Sequence, residues 1–248
     1  MTEKTVFESD QGLELAAAID LPEGEPKGFA LFSHCFTCTK DLPIAVHIGK
    51  ALAAEGIALV RFDLPGLGKS QGDFAETTLS GNVADVVAVA RQMEDRYGLP
   101  SVLIGHSFGG PTAILAAHEI PSVTAVATIA APCSSKHVRH FFDGVEFDDA
   151  GIGEIDVAGR RFRINRAFDE DLDQHQMAEK IASLDRALIV FHSPTDTVVG
   201  IENASDIFGA ARHPKSFVSL DRADHIVSDA PTARYLGHVL SAWAQYYL

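Results

Sequence analysis

The stretch IGHSFGG, residues 104–110, decides the fold of this chain of 248 residues. It contains the pattern Gly-x-Ser-x-Gly with Ser107 at its centre, an apolar strand-like run before it and a helical pattern after it. A serine at the tip of a sharp strand-to-helix turn needs small neighbours, because the backbone is strained and the flanking segments pass close together. The turn also places the hydroxyl at the positive end of a helix, where developing negative charge is stabilised. The pattern therefore predicts that Ser107 is a nucleophile.

Strand-like and helix-like segments alternate on both sides of this turn. Eight short runs rich in Val, Ile, Leu, Phe and Ala are expected as strands: 4–9, 13–21, 28–34, 56–63, 101–106, 123–130, 186–193 and 215–220. Helical patterns cover about 42–55, 79–97, 108–119, 201–212 and 229–247, the second with Ser80 as its expected N-cap. The first two strands form a hairpin across Asp10-Gln11-Gly12. The alternation predicts an α/β fold with a mostly parallel sheet of about eight strands, flanked by helices.

Residues 133–184 interrupt this alternation. They hold the aromatic and acidic stretch HFFDGVEFDD (140–149), an expected small hairpin over 153–164 and an expected polar helix around 169–183. A segment of this length between two core strands is usually functional, so we expect a cap or lid inserted over one end of the sheet. The domain prediction is a core of 1–132 and 185–248 with the cap at 133–184. The alternative is a surface excursion that merely shields a sheet edge.

A serine hydroxyl is a weak nucleophile at neutral pH unless a base takes its proton and a carboxylate orients that base. Asp196 follows the seventh predicted strand and His225 follows the eighth, so both are expected at the sheet edge that carries Ser107. The chain order Ser107, Asp196, His225 is typical of a nucleophile on a strand-to-helix turn. Asp224, adjacent to His225, is not favoured as the orienting carboxylate. The alternatives are a loop-capping aspartate and a packed loop histidine.

The developing oxyanion needs two hydrogen-bond donors. One is expected from the backbone N–H of Phe108, the residue after the nucleophile, and the second from the loop HCFTCTK (34–40) after the first parallel strand. With these residues in place, the chain resembles an α/β-hydrolase of the esterase and lipase superfamily. The strings HCFTCTKD (34–41) and HSPTDTVVG (192–200) resemble the hydrolase half of fused α/β-hydrolase–OsmC proteins, and the Phe-Thr loop more loosely resembles cinnamoyl and feruloyl esterases.

The resemblance implies a serine carboxylesterase that needs no metal and no organic cofactor. It implies that the Phe36 N–H is the second oxyanion donor and that the Phe36 ring lines the acyl pocket. Aromatic residues near the turn and in the inserted segment favour an ester with a short to medium or aromatic acyl group. The residues expected to contact this substrate are Phe36, His106, Phe141 and Phe142.

Other functions remain open at this stage. The same fold and triad serve peptide, thioester and lactone cleavage, because the acyl-transfer chemistry is shared. A ligand-binding protein that keeps the pocket without turnover is a further alternative. Cys35 and Cys38 form a C-x-x-C pattern that is expected as small buried residues beside the oxyanion loop, with a redox pair that modulates activity as the alternative.

Composition narrows the class of protein. The chain has 34 acidic and 20 basic side chains, a net charge of −14, which argues against binding to a nucleic-acid backbone. No apolar run approaches the length of about 18 residues that spans a bilayer, and the first ten residues lack an apolar export core. Three cysteines fit a reducing cytoplasm. We expect a cytoplasmic enzyme that acts on a small ester, with a homodimer as a possible assembly.

Overall fold

A computed structural model describes all 248 residues. Eight strands form one sheet, and all eight coincide with the predicted runs to within two residues at each end. They are β1 (Thr2–Glu8), β2 (Glu14–Asp20), β3 (Gly28–Ser33), β4 (Ile57–Phe62), β5 (Pro100–His106), β6 (Ala125–Ile129), β9 (Ala187–His192) and β10 (Lys215–Ser219). The other two strands are β7 (Ile152–Val157) and β8 (Arg160–Asn165). Seven α-helices complete the fold: α1 (Pro43–Ala54), α2 (Leu79–Arg96), α3 (Gly109–Ala117), α4 (Arg166–Leu172), α5 (Met177–Ala182), α6 (Glu202–Ala210) and α7 (Ala230–Ala244).

The strand order of the large sheet is β1-β2-β4-β3-β5-β6-β9-β10. Strands β1 and β2 are antiparallel to their neighbours, and every later pairing is parallel. Because parallel neighbours end at the same edge, the loops after β3, β5, β9 and β10 gather on one side of the molecule. These loops carry Phe36, Ser107, Phe108, Asp196 and His225.

Helices cover both faces of the sheet, as the apolar character of its strands predicts. Side chains alternate between the two faces along each strand. Leu103 of β5 joins the core beneath α2 and α3, whereas its neighbours Val102 and Ile104 join the core beneath α1 and α7. All three side chains are buried, so β5 is fixed from both sides. None of the helices is long and apolar enough to cross a lipid bilayer.

The N-cap expected at Ser80 is wrong. Helix α2 begins one residue earlier, and Thr78 caps it by accepting a hydrogen bond from the Gly81 N–H. Ser80 lies inside the first turn, where its N–H and hydroxyl both donate to Asp171 of the inserted segment. A tertiary contact therefore uses the serine that the local pattern assigned to the cap.

The single helix expected around 169–183 is also wrong, because the chain forms α4 and α5 with a break between them. Phe168 and Leu172 are four residues apart, which places both on one face of α4. The next buried residue is Met177, five positions after Leu172, and a continuous helix would place it about 140° around the axis from Leu172 and off that face. The break lets Met177 and Ile181 also reach the core.

Candidate active site

Ser107 lies in the turn between β5 and α3 with a backbone φ of 52°, a left-handed value unusual for a serine. The turn is held by the Ser107 N–H, which donates to Ile129 O at 2.8 Å. A Cβ atom on Gly105 would overlap the Gly109 carbonyl, and one on Gly109 would overlap the Ser33 carbonyl. Both glycines of the Gly-x-Ser-x-Gly pattern are therefore required by close backbone approach.

The structure brings Ser107, His225 and Asp196 into one hydrogen-bonded chain. The Ser107 Oγ atom lies 2.9 Å from His225 Nε2, and His225 Nδ1 lies 2.9 Å from Asp196 Oδ2. The N–H groups of Val198 and Val199 both donate to Asp196 Oδ1, at 2.8 and 3.0 Å. Each carboxylate oxygen thus has a separate set of partners.

The Asp196 carboxylate is held in its charged form although its side chain is fully buried. Burial alone would raise the pKa of Asp196, but the hydrogen bonds from His225 and from the Val199 N–H outweigh that effect and lower the pKa. A charged carboxylate on Nδ1 keeps the proton on that nitrogen and leaves the Nε2 lone pair directed at Ser107. The neighbouring Asp224 has a different partner, since its two oxygens accept from the N–H and hydroxyl of Ser228.

Two backbone N–H groups beside Ser107, those of Phe36 and Phe108, donate to no acceptor in the protein. Strands β3 and β5 are neighbours with Ser33 opposite Gly105, so the loops that follow them lie side by side. The rings of Phe36 and Phe108 pack edge to face with centroids 5.6 Å apart. Two backbone donors without an acceptor therefore lie in adjoining loops, one of them in the residue that follows Ser107.

Buried charges anchor the far end of the loop that carries Phe36. The Lys40 N–H donates to Asp63 Oδ1 at 2.7 Å, and its ammonium donates to Asp63 Oδ2 at 3.0 Å. Arg61 donates to the Lys40 carbonyl at 2.6 Å and forms an ion pair with Asp20 at 2.7 Å. All four side chains are buried. This network was not predicted, because its members are too far apart in the chain for any local sequence pattern to reveal it.

His34 holds the near end of the same loop. Its Nδ1 lies 2.8 Å from Cys35 O and its Nε2 accepts from the Leu64 N–H at 3.1 Å, which places the proton on Nδ1. Burial lowers the pKa of His34, so the ring stays neutral. Both ends of the Phe36 loop are therefore fixed by buried polar groups.

Cys35 and Cys38 are joined in a disulfide, whereas the sequence analysis favoured two small buried residues. The reason is the tight turn between them: the Cys38 N–H donates to Cys35 O, Thr37 has a φ of 61°, and the two Cα atoms lie 5.3 Å apart. This separation is typical of disulfide-bonded cysteines. The bond closes a four-residue ring around Phe36 and Thr37. The third cysteine, Cys133, is free.

Aromatic residues expected to contact substrate form one cluster around Phe36. The Phe36 ring packs against the rings of Phe74, Phe108, Phe141 and Phe168, with centroids 5.4 to 5.8 Å apart. Two of these, Phe141 and Phe168, come from the 133–184 segment, which therefore contacts the loop that carries Phe36. Phe141 was expected from the sequence, whereas Phe74 and Phe168 were not.

The remaining two expected substrate contacts are buried. Phe142 stacks on Phe168 with centroids 6.0 Å apart, and His106 is fully buried beneath Ser107. His106 Nε2 lies 2.9 Å from the main-chain carbonyl of His225. Its ring therefore contacts the loop of the histidine rather than an open surface.

Several proteins that are similar to the chain are described as hydrolases or esterases. The model of the family described as serine aminopeptidase, S33, matches residues 25–146. The esterase domain of a Rhodothermus marinus protein is 44% identical, with a TM-score of 0.84 and an alignment that covers 100% of this chain and 99% of that one. No curated protein matches the chain.

More distant structures share the fold alone. Est1E from Butyrivibrio proteoclasticus, solved with ferulic acid bound, is 20% identical, with a TM-score of 0.84 and 98% of each chain covered. The alpha/beta hydrolase domain-containing protein 10 from mouse is 17% identical, with a TM-score of 0.79 and coverage of 98% of this chain and 99% of that chain.

Proposed function

The chain belongs to the α/β-hydrolase superfamily, and from this membership we propose that it cleaves carboxylic esters through an acyl-enzyme on Ser107. The observation that carries the proposal is the chain of hydrogen bonds from Ser107 Oγ through His225 to Asp196, each 2.9 Å long. This geometry lets the imidazole take the serine proton while the carboxylate stabilises the resulting imidazolium.

In the first half-reaction, Ser107 Oγ attacks the acyl carbon of the ester as His225 Nε2 accepts the hydroxyl proton. The carbonyl π bond opens and its electron pair moves to oxygen. The tetrahedral intermediate then collapses, the bond to the alkoxy group breaks, and His225 returns the proton to the leaving alcohol. The product is an ester of Ser107 with the acyl group.

The free N–H groups of Phe36 and Phe108 are the proposed donors to the oxyanion. Loss of one such donor in other serine enzymes costs about 3 kcal/mol of transition-state stabilisation, so two donors represent a large share of catalysis. The buried anchors at His34 and Lys40 support this role, because they fix the loop that presents the Phe36 amide. Donors held in place before the reaction need no reorganisation when the charge develops.

In the second half-reaction, water takes the position of the alcohol. His225 removes its proton as the water oxygen attacks the acyl carbon and the carbonyl electron pair moves to oxygen. When this second tetrahedral intermediate collapses, the bond between the acyl carbon and Ser107 Oγ breaks, the acid leaves, and Oγ recovers the proton from the imidazolium. The triad and oxyanion donors serve both halves, so no metal or organic cofactor enters the proposed mechanism.

The proposed acyl group is short to medium or aromatic, and the 133–184 segment acts as the cap that selects it. The support is the aromatic cluster in which the Phe36 ring packs edge to face on Phe108 and stacks on Phe141, beside the proposed oxyanion donors. Aromatic groups pack on such a cluster with about 0.5–1.5 kcal/mol per ring pair beyond their buried area. Est1E, which shares the fold, is described with ferulic acid bound.

The test is steady-state hydrolysis of p-nitrophenyl acetate, butyrate and octanoate and of methyl ferulate by the parent and by Ser107→Ala. We expect the variant to lose about 10⁴-fold or more in kcat. Ser122→Ala is the matched control, because the Ser122 hydroxyl donates to Pro100 O at the opposite edge of the sheet. It should retain the parent rates.

An amide substrate, leucine p-nitroanilide, separates esterase from aminopeptidase activity, the function named by the matching family model. Hydrolysis of the anilide alone would transfer the proposal to peptide bonds. Equal ester hydrolysis by the parent and Ser107→Ala would reject Ser107 as the nucleophile.

A further inference from the structure

Two fully buried histidines end strands that lead to the proposed triad, and the mechanism uses neither of them. His106 is the last residue of β5 and His192 is the last residue of β9. A buried imidazole loses its hydration, so it is expected to be hydrogen-bonded or to have a function that explains its burial. In both rings Nε2 has a partner and Nδ1 has none.

His106 connects the strand of the nucleophile with the loop of the base. Its Nε2 lies 2.9 Å from the main-chain carbonyl of His225, a residue 119 positions away. A carbonyl oxygen only accepts hydrogen bonds, so Nε2 carries the proton of the neutral ring. Nδ1 is then unprotonated and bears a lone pair. The two imidazole rings lie with centroids 5.5 Å apart.

His192 makes an equivalent contact to the loop of the carboxylate. Its Nε2 lies 2.8 Å from Val199 O, and the Val199 N–H in turn donates to Asp196 Oδ1 at 3.0 Å. Each buried histidine thus uses its single N–H to hold the main chain of a loop that carries a triad partner. The same contact thus occurs at the ends of two strands, and in both cases it holds a loop that carries a member of the proposed triad.

We propose that His106 is a positioning residue that fixes the main chain of His225 relative to Ser107 through its Nε2–H···O bond. The inference rests on the proposed function of Ser107 and His225. Ser107 directly follows His106, so any displacement of the His225 carbonyl changes the distance between Ser107 Oγ and the base. Misplacement of a reacting group by about 1 Å costs on the order of 100-fold in rate.

The neutral state of His106 suits this role. Burial, followed by the nearby charge of His225, lowers the pKa of His106 to about 4, although the hydrogen bond to the His225 carbonyl acts in the opposite direction. At neutral pH the ring therefore keeps one proton, donates it to the carbonyl and does not compete with His225 for the proton of Ser107.

Two amide variants test the reach of the donor. His106→Gln places an N–H donor near the position of Nε2, whereas the side chain of His106→Asn is one methylene shorter and ends near Nδ1. We expect kcat for p-nitrophenyl acetate to fall about 100-fold in His106→Asn with KM within about threefold of the parent. In His106→Gln, kcat should stay within about tenfold of the parent. Equal kcat values in the two folded variants would overturn the proposal.

A measurement on the parent protein covers the case in which the variants do not fold. ¹⁵N NMR of histidine side chains should show His106 as the Nε2–H tautomer at pH 7, with slow exchange of that proton. The Nδ1–H tautomer would overturn the proposal. A parent without Ser107-dependent ester hydrolysis would reject the proposed function, whereas the tautomer and exchange result would still decide the His106–His225 bond.

Discussion

Replacement of Asp196 by Asn changes the triad in a way that the surrounding hydrogen bonds dictate. The Oδ1 position accepts from the N–H groups of Val198 and Val199, so the amide oxygen of Asn must occupy it. The amide nitrogen then faces His225 Nδ1 and donates to it. His225 must place its own proton on Nε2, which directs an N–H instead of a lone pair at Ser107. The variant keeps the geometry but removes the base.

The magnitude follows from the two hydrogen bonds at Oδ1. Rotating the Asn amide to restore the productive tautomer would leave the N–H groups of Val198 and Val199 opposite an NH₂ group. At about 1–3 kcal/mol for each buried donor left without an acceptor, the rotation costs about 2–6 kcal/mol. Each 1.36 kcal/mol is tenfold in rate, so we expect Asp196→Asn to lower kcat by about 30-fold to 10⁴-fold.

The assay is stopped-flow acylation by p-nitrophenyl acetate, with circular dichroism to show that the variant is folded. We expect kcat to fall and KM to stay within about threefold. Asp224→Asn is the matched control, because the Asp224 carboxylate binds Ser228 and not the imidazole. A folded Asp196→Asn variant with more than a tenth of the parent kcat would refute the tautomer argument.

Three further changes test the supporting structure. The pKa of the buried Asp85 is raised to about 6. The folded state therefore loses about 3 kcal/mol of stability as pH rises from about 4 to 6. In urea unfolding, Asp85→Asn should not show this loss, and a pH profile equal to that of the parent would contradict the assignment. Lys40→Met leaves Asp63 buried without its cation and should lower the melting temperature by about 6–12 °C, from about 3 kcal/mol. In calorimetry, adding Asp63→Asn to the Lys40→Met variant should recover part of the lost melting temperature. If the double variant loses the sum of the two single losses, the two charges are not paired. Reduction of the Cys35–Cys38 disulfide opens a four-residue ring, which should cost about 2 kcal/mol of stability and lower the melting temperature by about 4–8 °C. The melting temperature of a Cys35→Ser variant should not respond to reductant.

The fold was predictable from the sequence because the core strands are buried on both faces. Runs such as 101–106 and 186–193 are apolar almost throughout, and only strands covered by helices on both sides tolerate that pattern. The ends of the predicted strands also assign Ser107, Asp196 and His225 to one sheet edge, and the structure brings the three together. Their catalytic roles stay a prediction.

Contacts between distant parts of the chain were not predictable. Lys40 and Asp63 pair across 23 residues, and His106 contacts His225 across 119. The break between α4 and α5 depends on which residues the core can receive, a property of packing rather than of local helix propensity. Single-sequence patterns report local periodicity and turn chemistry, so they miss such tertiary contacts.

The most direct test of the central claim is mass spectrometry of the acid-quenched enzyme within milliseconds of mixing with p-nitrophenyl acetate. We expect one acetyl group on the peptide that contains Ser107 in the parent, and none on that peptide in Ser107→Ala. Sustained turnover by the parent with no acetyl group on that peptide, or acetylation elsewhere that persists in an active Ser107→Ala variant, would contradict it.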